Sequence, residues 1–139
     1  MLDVVLDTNI IISGLGWGGI PGKIIDLWKK GKINICLSAE VLEEYLELID
    51  RVMSKAGESC DWFLRLIESG EHIRFVKPRR HFKIITADCD DNMFIDCAVE
   101  SRSMYLITGD EHLLSVEKFK EVIIVSPAEF LGLYTRNNK

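Results

Sequence analysis

The fold of this chain is decided by the stretch Asp3-Val4-Val5-Leu6-Asp7-Thr8-Asn9-Ile10-Ile11-Ile12. An apolar run typical of a buried strand ends there in a carboxylate, and small polar residues follow it. A charge is costly to bury unless it is paired or bound to a metal. The acid therefore lies either at the exposed tip of a strand or in a functional site.

The composition is that of a globular protein. The chain has 139 residues, of which 47% are hydrophobic and 28% charged, and we expect one domain over residues 1–139. No apolar run approaches the roughly 20 residues that span a bilayer, and no basic leader is visible, so we expect no membrane association and a cytoplasmic location. Four cysteines without the spacing of a zinc site are expected to be free thiols: Cys36, Cys60, Cys89 and Cys97.

The charge balance limits which partners the chain can bind. A net charge of −5 argues against indiscriminate binding to nucleic acid. The segment 77–83 nevertheless concentrates four positive charges in seven residues. It is either a solvated loop or a patch that contacts phosphates, and the second interpretation would place Arg79, Arg80 and Lys83 along a phosphate backbone.

Short apolar runs alternate with helical stretches, which predicts an α/β fold with parallel strands. Strands are expected at residues 4–7, 33–37, 73–76, 104–108 and 122–125. Helices are expected at residues 23–30, 38–55, 59–68, 91–102 and 128–134. A glycine-rich loop is expected at residues 14–22, between the first strand and the first helix.

Four acids fall at comparable places in this pattern. Asp7 and Asp110 each follow a predicted strand, Asp91 stands at the start of the fourth predicted helix, and Glu43 or Glu44 lies on the second. In open α/β sheets, ligands bind beyond the carboxyl ends of the strands. We therefore expect the four acids to converge on one edge of the sheet.

Helical phase separates some of the neighbouring acids. At the α-helical period, Asp96 points about 140° away from Asp91, so we expect Asp91 to face the protein and Asp96 to face solvent. Asp90 is the expected N-cap of that helix. On the second helix Glu43 and Glu44 flank the apolar stripe on opposite sides, and phase does not choose between them.

Several clustered carboxylates repel one another unless a cation joins them. Ligation by oxygen alone selects a hard ion, either Mg²⁺ or Mn²⁺. Such an ion binds phosphate oxygens and lowers the pKa of a bound water. The natural chemistry of the predicted site is hydrolysis of a phosphodiester.

The chain resembles a PIN domain, the nuclease fold of many prokaryotic toxin–antitoxin toxins. The resemblance spans most of the chain and lies closest to the toxin branch of the family. It rests on four motifs in order: Val4-Val5-Leu6-Asp7-Thr8-Asn9, Ser38-Ala39-Glu40-Val41-Leu42-Glu43-Glu44-Tyr45, Asp88-Cys89-Asp90-Asp91-Asn92-Met93-Phe94 and Leu106-Ile107-Thr108-Gly109-Asp110.

The resemblance implies a three-layer α/β/α fold with a five-stranded parallel sheet in the order 3-2-1-4-5. It implies a ribonuclease that cleaves single-stranded RNA with Mg²⁺ or Mn²⁺, and it prefers Glu44 to Glu43. A homodimer and an inhibiting antitoxin are the partners that it implies. The metal-binding and catalytic acids would be Asp7, Glu44, Asp91 and Asp110, with Asn9 and Thr108 supporting them and Arg79, Arg80 and Lys83 holding the RNA.

Two other functions compete with this one. A signalling receiver domain is also α/β with an aspartate at a strand end, but it needs an acid pair after the first strand and a lysine after the last. Asp7 is instead followed by Thr8 and Asn9, and the last strand runs into Ser126 and Pro127. A PIN-like domain that binds RNA or protein without cutting is the second rival, and the retained acids argue against it.

Overall fold

A computed structural model describes residues 2–16, 18–59, 61–85 and 91–137, without the side chain of Trp62. Six strands form one sheet in the described part of the chain. Their bounds are β1 Leu2–Leu6, β2 Ile33–Leu37, β3 Ile73–Phe75, β4 Tyr105–Ile107, β5 Lys118–Phe119 and β6 Val122–Val125. The helices are α1 Thr8–Gly16, α2 Gly19–Lys29, α3 Ala39–Lys55, α4 Asp61–Ser69, α5 Asn92–Ser101, α6 Glu111–Leu114 and α7 Pro127–Asn137.

The sheet is mostly parallel, with the order β3-β2-β1-β4-β6-β5. The predicted α/β class and three-layer arrangement are confirmed, but the predicted count of five strands is one too few. The additional strand β5 pairs antiparallel with β6 through Lys118↔Ile123 and Phe119↔Val122. Two residues are too short to produce an alternating pattern, so sequence periodicity could not reveal this strand.

Helices cover both faces of the sheet. Because crossovers between parallel strands are right-handed, the strand order assigns α1 to α4 to one face, and the reversal of direction between β3 and β4 assigns α5 to the other. The central strand β1 is buried on both sides, with Val4, Val5 and Leu6 fully inaccessible. Because β1 and β4 are neighbours, the strand order reverses beside β1, and their carboxyl ends meet at this switch point.

The glycine-rich segment is mostly helical, which corrects the predicted loop. Two helices, α1 and α2, occupy it, and they pack against each other. A Cβ added at Gly14 would lie 2.5 Å from Cγ1 of Ile25 and 3.0 Å from the carbonyl oxygen of Pro21. This glycine therefore permits the close approach of α1 and α2. The glycine-rich composition by itself is typical of a turn, which is why a loop was expected.

One face of α5 supports an extended segment, residues 76–85, which we call the strap. The backbone amide of Phe82 donates to Oδ1 of Asp96 at 2.7 Å, and the amides of Ile84 and Ile85 donate to Oδ1 of Asn92 at 3.0 and 2.9 Å. Extended backbone needs such acceptors when no strand pairs with it. Asp96 is consequently 7% exposed, so the prediction that it faces solvent was wrong.

The lengths and hydropathies of the described helices bear on membrane association. In the described residues, no single helix combines the length and apolar character needed to cross a bilayer. The bent pair α1 and α2 together has the length and composition of a span.

Two of the four cysteines fall within the described residues. Cys36 and Cys97 are free, and both are buried. Burial raises the pKa of Cys97 to about 12, which leaves its thiol protonated and unreactive at neutral pH. Cys60, Cys89 and Asp90, the predicted N-cap, lie outside the described residues.

Candidate active site

Asp7 is held at the end of β1 by two hydrogen bonds. The hydroxyl of Thr108 donates to its Oδ2 at 2.6 Å, and the backbone amide of Asn9 donates to its Oδ1 at 3.3 Å. The residue is only 5% exposed, and Thr108 is fully buried. A neutral hydroxyl and a neutral amide are thus the donors to a buried carboxyl group.

The pairing of β1 with β4 creates this contact. Leu6 is aligned with Ile107, and the amide of Asp7 donates to the carbonyl of Ile107 at 3.0 Å. The next residue, Thr108, then reaches Asp7 from the end of β4. Its hydroxyl oxygen also accepts the amide of Asp110 at 3.0 Å, so one side chain connects Asp7 with the chain at Asp110.

Asp110 is oriented as the N-cap of the short helix α6. Its Oδ1 accepts the amides of His112 and Leu113 at 2.8 and 3.1 Å. These bonds fix the direction of the carboxylate and use one of its two oxygens. The other oxygen makes no hydrogen bond with the described residues, so it remains able to bind a ligand.

Glu44 joins the site through the residue after Asp7. The hydroxyl of Thr8, which is 1% exposed, donates to Oε2 of Glu44 at 2.8 Å. Glu43 is exposed and lines a different cleft, together with Phe63 and Leu64 on α4. The structure therefore places Glu44, and not Glu43, in contact with Thr8, the residue that follows Asp7.

Tyr45, which follows Glu44 on α3, holds this helix against the site. The hydroxyl of Tyr45 donates to the carbonyl of Leu6, the last residue of β1. Tyr45 is fully buried, and burial raises its pKa well above the ordinary tyrosine value. Its hydroxyl group therefore ties α3 to the end of the central strand.

Asp91 reaches the same edge of the sheet through α5. This helix runs antiparallel to the strands, since its C-terminal end leads within a few residues into the start of β4. Its N-terminus, where Asp91 stands, therefore lies at the carboxyl edge. Asp91 is 8% exposed and occupies the cap position without a side-chain capping bond, so the prediction that it faces the protein agrees with its burial.

Asp7 is a buried carboxyl group that forms no ion pair with the described residues. Burial is the largest influence and raises the pKa of Asp7 above its ordinary value of 3.8, and the negative charge of Asp110 raises it further. The hydrogen bonds from Thr108 and Asn9 act in the opposite direction. A cation placed beside Asp7 would offset both unfavourable influences.

The donor set fits a hard divalent ion by its chemistry. All four predicted ligands are carboxylates, and carboxylate oxygen is what Mg²⁺ and Mn²⁺ prefer. Within residues 2–16, 18–59, 61–85 and 91–137, no group of three or more His, Cys, Asp or Glu side chains is disposed to hold a metal. Thr108 connects Asp7 with the chain at Asp110, Thr8 connects it with Glu44, and Asp91 lies at the same edge of the sheet.

The supporting residues differ from what the motif indicates. Thr108 contacts Asp7 with its side chain, whereas Asn9 does so with its backbone amide and has an exposed side chain. Sequence reasoning missed Thr8 and Tyr45 as parts of the site. Thr8 could have been found from its hydroxyl directly after a strand-end acid, but the inward-facing Tyr45 looks like an ordinary core residue.

The three basic residues predicted to hold RNA are dispersed along α5. Arg79 pairs with Glu100 near the helix C-terminus, with Nη2 3.4 Å from Oε2, and its amide donates to the same carboxylate at 2.8 Å. Arg80 lies at that end as well, beside Arg102. Lys83 borders a cleft of about 510 Å³ with Asn92, nearer the acids. Only Lys83 is thus close to the carboxyl edge.

Comparison with known proteins identifies the family. A model of the PIN domain matches residues 3–112. An uncharacterized protein of Methanocaldococcus jannaschii, MJ1680, is 34% identical over 118 residues, which cover 83% of this chain and 75% of that protein. These matches and the three-layer fold show that the chain belongs to the PIN domain family, whose members are generally nucleases.

Proposed function

We propose that this protein is a divalent-metal-dependent endoribonuclease that hydrolyses RNA phosphodiesters. Asp7, Glu44, Asp91 and Asp110 would hold Mg²⁺ or Mn²⁺ and carry the reaction. The observation that supports this most is the buried Asp7, which receives only neutral donors while a second acid raises its pKa. Perturbed acids at a sheet's switch point are typical of functional sites.

The chain's own residues would position the carboxylates. Thr108 holds Oδ2 of Asp7, Thr8 holds Oε2 of Glu44, and the amides that begin α6 hold Oδ1 of Asp110. When bound, a divalent ion supplies a more acidic water and neutralises charge on the phosphate. Residues that orient metal ligands typically change affinity or activity by about 10–100-fold when removed.

The identity of the substrate and the partners comes from the family resemblance. RNA is the proposed substrate, with Lys83 closest to the acids among the three basic residues named above. We propose further that the protein is a cytoplasmic toxin of a toxin–antitoxin pair, acts as a homodimer and is restrained by an antitoxin protein. Co-purification of a small protein encoded beside it, which inhibits cleavage when added back, tests this assignment. A neighbouring protein that leaves cleavage unchanged would contradict the antitoxin, and an active monomer would contradict the homodimer.

One observation favours a second function, an RNA- or protein-binding domain without nuclease activity. No three acids are disposed around one ion in the described residues. Binding of metal separates the two functions. An ion present at 100 times its Kd stabilises a protein by about 2.7 kcal/mol, so Mg²⁺ or Mn²⁺ should raise the Tm of the wild type but not of Asp7→Asn.

The direct test is a ribonuclease assay. Purified protein is incubated with structured and unstructured RNA in Mg²⁺, Mn²⁺ or EDTA, beside Asp7→Asn purified in the same way. We expect cleavage of unstructured RNA by the wild type in either metal, and none in EDTA or with Asp7→Asn. Equal cleavage by Asp7→Asn, or cleavage that persists in EDTA, would disprove the mechanism.

A further inference from the structure

A second charged surface lies at the opposite edge of the sheet, where the strands begin. Arg80 from the strap, Arg102 after α5 and Lys120 from the turn between β5 and β6 line a cleft of about 390 Å³. Val99 and Val122 form its apolar wall. We call it the basic cleft. All three cations are exposed, and they come from segments 22 and 18 positions apart in the sequence.

Aromatic rings hold two of these cations together. The guanidinium carbon of Arg80 lies 5.4 Å from the ring centre of Phe82, and Nζ of Lys120 lies 5.5 Å from the same centre. Lys120 is also 5.5 Å from the ring of Phe119, which meets Phe82 edge-to-face at 5.0 Å. Cation–π contacts thus fix two like charges around one ring.

Positive charge exceeds negative charge around the cleft. Glu121 is the one carboxylate among the described residues that line it, against three cations. The nearby carboxylate of Glu100 forms an ion pair with Arg79. The backbone hydrogen bond from Arg79 lowers the pKa of Glu100 most, and the positive charge of Arg80 also lowers it. No ion pair joins Arg80, Arg102 or Lys120 to a carboxylate in the described part of the chain. Cations held together without matching acids favour an anionic ligand.

The strap connects this cleft with the acids. It runs along α5 from Glu100 to Asn92, and His81 and Lys83 follow Arg80 toward the carboxyl edge. The ten residues of α5 correspond to about 15 Å. A chain of linked phosphates can extend over that distance, whereas a single small anion cannot.

We propose that the basic cleft binds the phosphodiester backbone of single-stranded RNA, at a position away from the bond that is cut. This inference depends on the proposed function for the choice of RNA. Arg80, Arg102 and Lys120 contact phosphates at the amino edge while the strand continues along the strap to the acids. The cleft therefore makes long RNA a better ligand than RNA that covers only the acidic edge.

The test compares two double variants with the same loss of charge. Arg102→Asn with Lys120→Asn removes two cleft cations, and asparagine suits their left-handed backbone, with φ of 57° and 53°. Lys55→Gln with Arg65→Gln removes two exposed cations from α3 and α4. Affinity for long and short single-stranded RNA is measured in EDTA by fluorescence anisotropy over a range of salt concentrations, and circular dichroism verifies folding.

We expect the cleft variant to bind long RNA about tenfold more weakly at low salt. The slope of log K against log salt should become shallower by about 1.4, which corresponds to two lost phosphate contacts. Binding of short RNA should be unchanged, and the control variant should behave like the wild type. Equal losses in both variants, or wild-type affinity in the cleft variant, would overturn the inference.

Other outcomes separate this inference from the proposed nuclease. If RNA is cleaved but the cleft variant binds and cuts long RNA normally, the nuclease stands and the cleft assignment falls. If no RNA is cleaved but the binding of long RNA still depends on Arg102 and Lys120, the cleft is supported as an RNA-binding site and the nuclease is not. Competition by inorganic phosphate for the cleft without any effect on RNA binding would identify a small-anion site instead.

Discussion

Two aspartates at opposite ends of one strand show how differently this fold treats a charge. Asp3, near the start of β1, accepts hydrogen bonds from Arg74 and from Nδ2 of Asn34. Asp7, just after the end of the same strand, accepts from neutral donors, the hydroxyl of Thr108 and the backbone amides of Asn9 and Thr8. Asp3 is partly exposed with a cationic partner, and Asp7 is buried without one among the described residues.

This contrast separates a structural acid from a candidate functional acid. A cation beside a carboxylate neutralises it within the protein, so nothing further is needed at Asp3. The ionised form of Asp7 has no cationic partner among the described residues, and a cation from solution would stabilise it. The same distinction applies to the sheet edges, because the amino edge gathers cations and the carboxyl edge gathers acids.

The largest expected effect comes from making the two aspartates neutral in turn. Asp7→Asn should reduce ribonuclease activity by more than about 100-fold, which exceeds the usual effect of removing a residue that orients a ligand. Asp3→Asn is the matched control and should retain activity. Initial rates on the same RNA in Mg²⁺ decide the matter, and comparable losses in both variants would erase the distinction between the two ends of β1.

The stability of Asp7→Asn provides a second test of the difference between the two aspartates. Burial raises the folded pKa of Asp7 above 3.8, so the stability contributed by its neutral form is present below that pH and is lost as pH rises through the folded pKa. Asparagine stays neutral. In metal-free buffer the variant should therefore gain unfolding free energy over the wild type as pH rises from 4 to 8, measured by urea denaturation. A difference that does not change with pH would contradict the burial of a charge at Asp7.

Removing the hydroxyl that holds Asp7 should have the next largest effect. Thr108→Val is expected to reduce activity by about 10–100-fold and to cost about 1–3 kcal/mol of unfolding free energy, because buried acceptors lose a donor. Losing this bond also raises the pKa of Asp7, so the acid limb of the pH–rate profile should move upward. Thr108→Ser keeps the hydroxyl and should restore most of the activity; failure of this rescue would indicate a packing role instead.

The neighbouring glutamates on α3 provide a third contrast. Glu44 is bonded to Thr8 beside the site, whereas Glu43 faces the cleft on the other side of the helix. We expect Glu44→Gln to reduce activity by at least about tenfold and Glu43→Gln to leave it unchanged. Steady-state kinetics of the two variants measure these activities. An equal loss in both would mean that activity depends on the total negative charge of α3 and not on the position of Glu44.

The smallest expected effect concerns the ion pair at the amino end of β1. Arg74 is 44% exposed and Asp3 is 23% exposed, so water screens their attraction. Arg74→Gln should lower the unfolding free energy by no more than about 1 kcal/mol. Urea denaturation at neutral pH measures the change. A loss well above this value would show that the pair, like Asp7, belongs to the buried interior.

The regular elements could largely be predicted from sequence. The second strand matches residues 33–37, the last parallel strand matches 122–125, and α3 follows its N-cap Ser38 and ends at Lys55. These segments combine strong periodicity with a clear start signal. Local patterns failed at the glycine-rich segment, where packing of α1 against α2 at Gly14 produces helices, and at the two-residue β5.

Side-chain environments were predicted less well. Helical phase placed Asp96 on the side away from Asp91 but wrongly predicted exposure, because it cannot show that the strap, held by Asp96 and Asn92, covers this side of α5. The basic segment 77–83 looked like one patch, yet α5 distributes Arg79, Arg80 and Lys83 along its length. A linear cluster of charge carries no information about which distant acids will pair with it.

The α/β class and the positions of acids at strand ends and at a helix start follow from the amino-acid sequence, because they depend on local hydrophobic period and capping. The contacts of Thr108 with Asp7, of Thr8 with Glu44, and of Arg80 and Lys120 with the ring of Phe82 arise only in the folded chain. The physical reason is that hydrogen bonds and charge–charge interactions act over a few ångströms. Chain folding therefore determines which of these partners come within reach.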